Sequence, residues 1–188
     1  MAKLFVFRHG QTFDNKEKIF SGFRQTDLTP EGIEEARGIG EKLKNEKVTK
    51  AFQSDLIRSQ HTLELVLNDW HEKVEIITDA RIKERNYGDL TGKSKIEVEK
   101  QNPEQYRLWH RSYNDPPPNG ESIKMVEERV LSFLNDVLPT LKSDDIVFIS
   151  AHGNSIRPLR RYFENISIDE MCSFEHTPGK IYEYNINN

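Results

Sequence analysis

Two histidine–glycine pairs lie close after the two most strongly apolar segments of the sequence. His9-Gly10 comes just after Lys3–Phe7. His152-Gly153 comes just after Ile146–Ile149. Short apolar runs of this kind are typical of buried strands. If both strands are central and parallel, the two imidazoles meet at the carboxyl edge of a sheet, where open α/β folds bind ligands. Both histidines are therefore candidates for chemistry.

Arginines accompany both candidate histidines. Arg8 precedes His9, and Arg58 is expected one turn into the helix after the second strand. Imidazole is the commonest metal ligand, so a zinc site is one alternative. No third ligand is evident at the two strand ends, and arginine repels metal cations while it binds phosphate through its planar guanidinium. The pattern therefore favours an anion pocket for phosphate, with no metal.

A neutral imidazole in such a pocket can also react. With an ordinary pKa of about 6.5, it presents a ring-nitrogen lone pair that can attack phosphorus. Its other nitrogen must then be held as N–H by an acceptor, which fixes the tautomer. Transfer through a phosphohistidine divides one difficult step into two easier ones. The arginines and the second histidine would stabilise charge on the transferring oxygens.

Glu84 is the candidate proton carrier. It follows the predicted strand Val74–Thr78, where a glutamate is usually a solvated charge. Its basic sequence neighbours favour a general acid/base instead; they are Lys83, Arg85, Lys93 and Lys95. Three other histidines are interpreted as ordinary polar residues with satisfied hydrogen bonds: His61, His71 and His176.

Strands that alternate with helices predict a three-layer α/β sandwich, with a mostly parallel central sheet flanked by helices. Thr29-Pro30 is a helix start, and its apolar face is expected at Ile33, Ala36, Gly40 and Leu43. Further elements are predicted as a strand at Ala51–Ser54, a helix from Asp55, a helix within Ser122–Leu141, a helix through Arg161 and a last strand at Ile181–Tyr184. Residues 1–188 are read as one domain, with a helical and loop insertion at about 88–121 over the end of the sheet.

Composition excludes several classes. Among 188 residues, 31% are charged and the net charge is −4, which argues against a nucleic-acid binder. The single cysteine, Cys172, forbids an intrachain disulfide and a cysteine-based metal site. No apolar run suits a membrane span, and the first residues do not form a signal peptide. A cytoplasmic protein that acts on a small phosphorylated molecule is expected.

Together these residues resemble the signature of the histidine phosphatase superfamily and, more narrowly, the cofactor-dependent phosphoglycerate mutases. The likeness runs from Phe5 to Tyr184. It is carried by Arg8–Asn15, Arg58, Glu84–Gly88, Trp109–Tyr113, Pro116–Pro118 and Ala151–Arg157. An Arg-His-Gly tripeptide alone is a weak signal, but the ordered set is specific.

The resemblance implies interconversion of 3-phosphoglycerate and 2-phosphoglycerate in glycolysis and gluconeogenesis, primed by 2,3-bisphosphoglycerate and without a metal. His9 would carry the phosphoryl group, Glu84 would donate and accept protons, and His152 would stabilise the transition state. The transferring phosphoryl would be held by Arg8, Asn15, Arg58, Gly153 and Asn154. The rest of the substrate would be held by Ser21, Gly22, Tyr87, Lys95 and Arg111. Relatives form dimers or tetramers, so a homodimer or homotetramer is possible.

Departures from the family pattern bear on how tightly the substrate is bound and on the loss of phosphoryl groups to water. His110 stands where the family usually has the first of two adjacent arginines, which weakens one substrate contact or makes it depend on pH. Ser21 replaces the usual threonine but keeps a hydroxyl. The chain ends soon after Tyr184, without the tail of longer members. A more open site should lose phosphoryl groups to water, which predicts phosphatase side activity.

Two other functions are weighed against the mutase. A broad-specificity phosphomonoesterase of the same superfamily would keep the phosphohistidine but would not need Tyr87, Lys95 and Arg111. A non-catalytic phospholigand-binding relative would most simply have lost His9 or Glu84, and both are present. The mutase is favoured over both.

Overall fold

A computed structural model describes residues 1–70 and 73–186. The strands are β1 (Ala2–Arg8), β2 (Lys50–Gln53), β3 (Glu75–Thr78), β4 (Ile146–Ala151) and β5 (Ile181–Ile186). The helices are α1 (Phe13–Lys16), α2 (Pro30–Leu43), α3 (Ile57–Val66), α4 (Lys95–Gln101), α5 (Pro103–Arg111), α6 (Ile123–Val137), α7 (Gly153–Glu164) and α8 (Ile168–Ser173). Short 3₁₀ turns lie at Ala80–Ile82, Gly88–Leu90 and Leu138–Thr140.

The five strands form one sheet in the order β3-β2-β4-β1-β5. Strands β1, β2, β3 and β4 pair in parallel, and β5 pairs antiparallel with β1 at one edge. The register of the central pair sets Arg8 opposite Ala151. Each of these residues directly precedes a histidine, so both histidine–glycine pairs leave the sheet side by side, as the sequence predicts.

Helices cover both faces of the sheet and complete the predicted three-layer α/β sandwich. On one face, α6 and α7 pack Val130, Phe133 and Ile156 against apolar residues of β1 and β4. On the other, α2 and α3 pack Ile39 and Leu63 around the phenylalanines of the same strands. Because both faces of the central strands are buried, their apolar runs are continuous rather than alternating.

Helix α2 begins where the sequence predicts. The Thr29 hydroxyl accepts a hydrogen bond from the Gly32 amide, and Pro30 occupies the first turn. The predicted apolar face needs one correction, because Ile39 is buried while Ile33 is only half-buried. Gly32 turns toward the end of β1, where a Cβ on Gly10 would come within 2.1 Å of the Gly32 carbonyl oxygen. The close approach of these two backbones requires glycine.

The insertion predicted at about 88–121 carries α4 and α5. It rests on a small apolar cluster of its own, in which Phe20, Tyr87, Leu90 and Val98 are buried. This cluster turns the ends of α4 and α5, and so Lys95 and Arg111, toward the carboxyl edge of the sheet. Within 1–70 and 73–186, no helix has the length and apolarity that crossing a bilayer requires.

Candidate active site

The imidazoles of His9 and His152 meet at the carboxyl edge of the sheet. Their ring centroids are 5.0 Å apart, with the planes tilted by 54°. Both side chains are buried, at 5% and 0% exposure. The sequence prediction that the two imidazoles meet at this edge of the sheet is therefore confirmed.

The tautomer of His9 is fixed by its own backbone neighbour. Nδ1 lies 2.8 Å from the Gly10 carbonyl oxygen, which can only accept, so Nδ1 carries the proton. Burial, together with the nearby guanidinium groups of Arg8 and Arg58, holds the pKa of His9 well below its usual value of 6.5. The ring is therefore neutral at physiological pH, and its Nε2 lone pair is available to a ligand.

Arg58 is a buried cation beside this ring, with 1% of its surface exposed. Its two terminal nitrogens donate to the carbonyls of Gly22 and Arg24, each at 2.8 Å. Burial lowers its pKa to about 10, so it keeps its charge at neutral pH. The Nε atoms of Arg58 and Arg8 are buried and meet no hydrogen-bond partner among the described residues. Unsatisfied buried donors beside a neutral imidazole suit an anion.

His152 is the N-cap residue of α7, and a hydrogen bond with Ser54 holds its ring in place. Its Nε2 lies 2.7 Å from the Ser54 hydroxyl, which itself accepts from the Leu56 amide. Burial and the charge of Arg58 hold the pKa of His152 well below 6.5. Its Nδ1 is buried and has no partner within the described part of the chain. When the Ser54 hydroxyl donates to Nε2, the proton of the neutral ring lies on Nδ1, which can then donate it to a bound anion.

Glu84 is buried at 7% exposure and is bound on one oxygen. Its Oε1 accepts from the Arg85 amide at 2.7 Å and from the Asn154 side-chain amide at 2.8 Å. Burial acts to raise the pKa of Glu84, but these hydrogen bonds and the charge of Arg58 outweigh it and lower the pKa. The other oxygen, Oε2, is left to meet a ligand, so Glu84 can exchange a proton with one.

The basic residues around Glu84 differ in part from those expected from the sequence. Lys83 pairs with Asp55 at 3.3 Å, Lys93 is exposed, and the Arg85 side chain donates to the Glu121 carbonyl. Of the predicted neighbours, Lys95 lines the same cavity. Glu84 interacts electrostatically with two of the predicted neighbours, Arg85 and Lys95. Arg58 and Arg8, which are distant in sequence, add their charges and lower the pKa of the Glu84 carboxyl.

A cavity of about 140 Å³ opens in front of these groups. It collects most of the predicted site residues, namely Arg8, Asn15, Ser21, Gly22, Glu84, Tyr87, Lys95, His110, Arg111, Gly153 and Asn154. His9 lines an adjoining cavity together with Arg8 and Asn15. Arg58 and His152 lie behind the wall, in contact with the residues that line it. The fold thus brings every predicted site residue to one region.

Several of these residues also order their neighbours. Asn15 closes a capping box with Thr12 at the start of α1. Asn154 donates to the Tyr87 hydroxyl at 3.1 Å as well as to Glu84. His110 packs on Phe20 and Tyr106. Burial and the adjacent Arg111 lower the pKa of His110 to about 3, so it is neutral and gives the cavity no charge at neutral pH.

Besides the apolar Ile19, three polar lining residues were missed by sequence reasoning: Arg157, Glu175 and His176. The interpretation of His176 as an ordinary polar residue was wrong. Its Nε2 donates to the Gly153 carbonyl at 2.7 Å, while its buried Nδ1 faces no partner among the described residues. His61 fits its interpretation, since it pairs with Asp27 at 2.7 Å. His71 lies outside the described residues.

The site also contains a set of possible metal ligands that the sequence did not reveal. One ligand atom each from His9, Glu84 and His152 lies within 4.8 Å of the others. Glu84 is thus the third ligand that was not evident at the strand ends. Arg8 and Arg58 act electrostatically on the same groups, and their positive charge opposes a metal cation there and favours an anion.

Curated relatives are similar over nearly the whole chain. Proteins named "2,3-bisphosphoglycerate-dependent phosphoglycerate mutase" include one from Parvibaculum lavamentivorans, 39% identical over 96% of this chain and 89% of the relative. Another, from Nitrobacter winogradskyi, is 39% identical over 98% of this chain and 91% of the relative.

Similar solved structures bear other names. A putative alpha-ribazole-5'-P phosphatase from Escherichia coli has a TM-score of 0.82 and 27% identity over 100% of this chain and 92% of that one. Bacillus stearothermophilus YhfR has a TM-score of 0.88 and 24% identity over 97% of this chain and 90% of that one, which shows the shared fold. The family profile described as "Histidine phosphatase superfamily (branch 1)" matches residues 4–188. The chain belongs to the histidine phosphatase superfamily.

Proposed function

We propose that this protein is a 2,3-bisphosphoglycerate-dependent phosphoglycerate mutase that interconverts 3-phosphoglycerate and 2-phosphoglycerate through a phosphohistidine on His9. One observation carries the proposal beyond the superfamily. Cationic side chains line the cavity on the insertion side, from Lys95 and Arg111, as well as at the histidines. A substrate with two anionic groups could be held at both ends there. The names of the relatives with 39% identity agree with this substrate.

His9 performs the phosphoryl transfer in this proposal. Its Nε2 lone pair attacks phosphorus, while Nδ1–H remains bound to the Gly10 carbonyl. Arg8 and Arg58 stabilise the charge on the equatorial oxygens, and His152 donates through Nδ1. Because these groups are already in place and their Nε or Nδ1 atoms have no partner among residues 1–70 and 73–186, little reorganisation is needed.

Glu84 moves the proton. It protonates the leaving oxygen as His9 takes the phosphoryl group, and it later removes a proton from the hydroxyl that receives the group. Asn154 and the Arg85 amide hold one carboxylate oxygen, which orients the other toward the cavity. The lowered pKa of Glu84 suits its role as a general base. The negative charge of a bound phosphate would raise this pKa and so favour its role as a general acid.

The priming cofactor fits the residues present. 2,3-Bisphosphoglycerate supplies the phosphoryl group that first charges the histidine. Arg8 Nε, Arg58 Nε and His152 Nδ1 are unsatisfied donors that would hold one phosphate, and Lys95 and Arg111 would hold the remaining anionic groups. Retention of the bisphosphorylated intermediate until it has turned around distinguishes a mutase from a phosphatase.

A phosphomonoesterase of the same superfamily is the second candidate, and two observations favour it. His110 is neutral where a second arginine would add charge, and Arg111 is engaged by Glu175 at 2.5 Å. Both weaken the grip on the end of the substrate remote from His9, and a loosely held intermediate loses its phosphoryl group to water.

Conversion of 3-phosphoglycerate to 2-phosphoglycerate, followed directly by ³¹P NMR so that no metal-dependent coupling enzyme is needed, tests the proposal. Turnover should be strongly stimulated by 2,3-bisphosphoglycerate and should persist in EDTA. Released inorganic phosphate is measured in the same samples. Phosphate release without isomerisation would replace the mutase with the phosphomonoesterase, and loss of turnover in EDTA would overturn the metal-free mechanism.

A further inference from the structure

The cavity contains a carboxylate that the proposed reaction does not use. Among the lining residues that the structure describes, the acidic ones are Glu84 and Glu175. Glu84 belongs to the proton transfer. Glu175 lies at the rim, with 75% of its side chain exposed, and its Oε1 is 2.5 Å from Nη2 of Arg111. An acidic group in a cavity that binds anions opposes the ligand and calls for an explanation.

Glu175 is held in this position by both of its neighbours. The ring of Phe174 packs under the Arg160 guanidinium, 3.9 Å from its carbon to the ring centroid. The next residue, His176, donates to the Gly153 carbonyl at 2.7 Å and packs edge-on against Phe174. The segment between α8 and β5 is therefore anchored on each side of Glu175, so its carboxylate is directed at Arg111 by the fold.

Arg111 is one of the few lining cations available to bind a second anionic group of the substrate. Of the other lining cations, Arg8 lies beside His9, and Arg157 donates to the carbonyls of Met171 and Cys172. The cations left for a remote anionic group are Lys95 and Arg111. A substrate carboxylate or second phosphate must then compete with Glu175 for the Arg111 guanidinium.

We propose that Glu175 is a specificity-determining residue: by pairing with Arg111, it weakens the grip on the anionic group remote from the transferring phosphoryl. This inference rests on the proposed function for the identity of the remote group. Exposed ion pairs contribute little energy, so a bound anion displaces Glu175 at a modest cost, about a two- to five-fold loss of affinity. Phosphomonoesters without a remote anion do not meet this cost.

The test compares two substrates in Glu175→Gln and in a matched variant. Glu128→Gln changes the net charge equally at an exposed position on α6. We expect Glu175→Gln to lower KM for 3-phosphoglycerate about two- to five-fold. KM for p-nitrophenyl phosphate, which has no remote anion, should stay unchanged. Glu128→Gln should alter neither. In the double variant Glu175→Gln, Arg111→Gln, the gain should disappear, because the freed guanidinium is absent.

An unchanged or higher KM for 3-phosphoglycerate in Glu175→Gln, or an equal change for both substrates, would overturn the role of Glu175. Calorimetric binding of 3-phosphoglycerate to His9→Ala protein, with and without Glu175→Gln, separates this result from the proposed function. Tighter binding to the protein that carries both His9→Ala and Glu175→Gln than to His9→Ala alone supports the role of Glu175, even if the unaltered protein does not isomerise the substrate. Isomerisation together with equal binding supports the mutase and refutes the role of Glu175.

Discussion

The imidazole of His9 donates its Nδ1 proton to the carbonyl of the adjacent residue, Gly10, over 2.8 Å. The acceptor that sets the tautomer is thus supplied by the same strand end that positions the ring. No carboxylate partner is needed for it, which leaves the Glu84 carboxylate free for proton transfer. The neutral ring keeps Nε2 directed to the ligand.

Replacement of His9 by alanine should abolish the phosphoenzyme. The variant lacks the only nitrogen proposed to bond to phosphorus, so incubation with ³²P-labelled 2,3-bisphosphoglycerate should leave the protein unlabelled, and isomerisation should stop. His61→Ala is the control, because that histidine pairs with Asp27 outside the cavity. Acid-labile label retained on His9→Ala protein would assign the nucleophile to another residue.

Glu84→Gln should slow isomerisation by about 10²–10⁴-fold, as expected when general acid–base catalysis is lost. The amide keeps the size of the side chain but cannot exchange a proton. The kcat/KM for p-nitrophenyl phosphate reports only transfer to His9, and its leaving group departs without protonation, so this value should fall much less. Equal losses of kcat/KM for both substrates would instead point to a role for Glu84 in binding or folding.

Asn154→Ala should shift the acidic limb of the pH profile. The Asn154 amide donates to Glu84 and lowers the pKa of that carboxyl, so its removal raises the pKa. Where deprotonated Glu84 is required, kcat/KM should therefore begin to fall at a higher pH than in the unaltered protein. Asn68→Ala, at an exposed position, should leave the profile in place. A shift toward lower pH would contradict the assignment.

Much of this site could be predicted because its residues stand at element boundaries. His9 and His152 follow apolar strands directly, and the parallel pairing that the alternation of elements predicts is enough to bring them together. Glu84 stands out less clearly. Its role was inferred from basic sequence neighbours, of which Arg85 and Lys95 do interact with its charge. Arg58 and Arg8 also act on it, and only the tertiary fold brings them near.

Glu175 and His176 could not be found in this way. They lie in a loop after α8, with no flanking apolar run and no motif to mark them. Their position in the cavity depends on how that loop returns to β5, the antiparallel edge strand, and on contacts with Gly153 and Arg111. Pairings over such sequence distances leave no local pattern.

Gly10→Ala should reduce both stability and activity. A Cβ at this position would lie 2.1 Å from the Gly32 carbonyl oxygen, so the end of β1 must shift and carry His9 with it. Gly38→Ala, within α2, meets nothing within 4 Å and should stabilise the fold by up to about 1 kcal/mol through helix propensity. Thermal unfolding and turnover of both variants check the pair of outcomes. Equal Tm values would contradict the close approach.

Acid should destabilise the protein at an unusually high pH. The pKa values of buried His9 and His152 lie well below 6.5 when folded, and unfolding returns them to about 6.5. Below that pH the unfolded chain binds more protons, so the free energy of unfolding is greatest above about pH 7 and falls as pH decreases. Each histidine contributes a slope of at most about 1.4 kcal/mol per pH unit.

Urea titrations at several pH values between 5.5 and 7.5 measure this slope. His152→Gln should make it shallower, since one titrating group is removed, whatever its effect on the stability at pH 7.5. A free energy of unfolding that does not change across this range would show that the two rings bind protons equally in the folded and the unfolded protein, which contradicts the lowered pKa values.

The neighbouring places of β1 and β4 in the sheet have a consequence for how activity arises during synthesis. The ring proposed to react follows β1, whereas its partner imidazole follows β4, which is synthesised much later than β1 although the two strands pair. A nascent polypeptide that has emerged only as far as the insertion carries His9 but lacks β4 and His152. The proposed phosphoryl transfer therefore cannot begin before β4 and His152 have been synthesised, and fragments that stop before them should be catalytically silent.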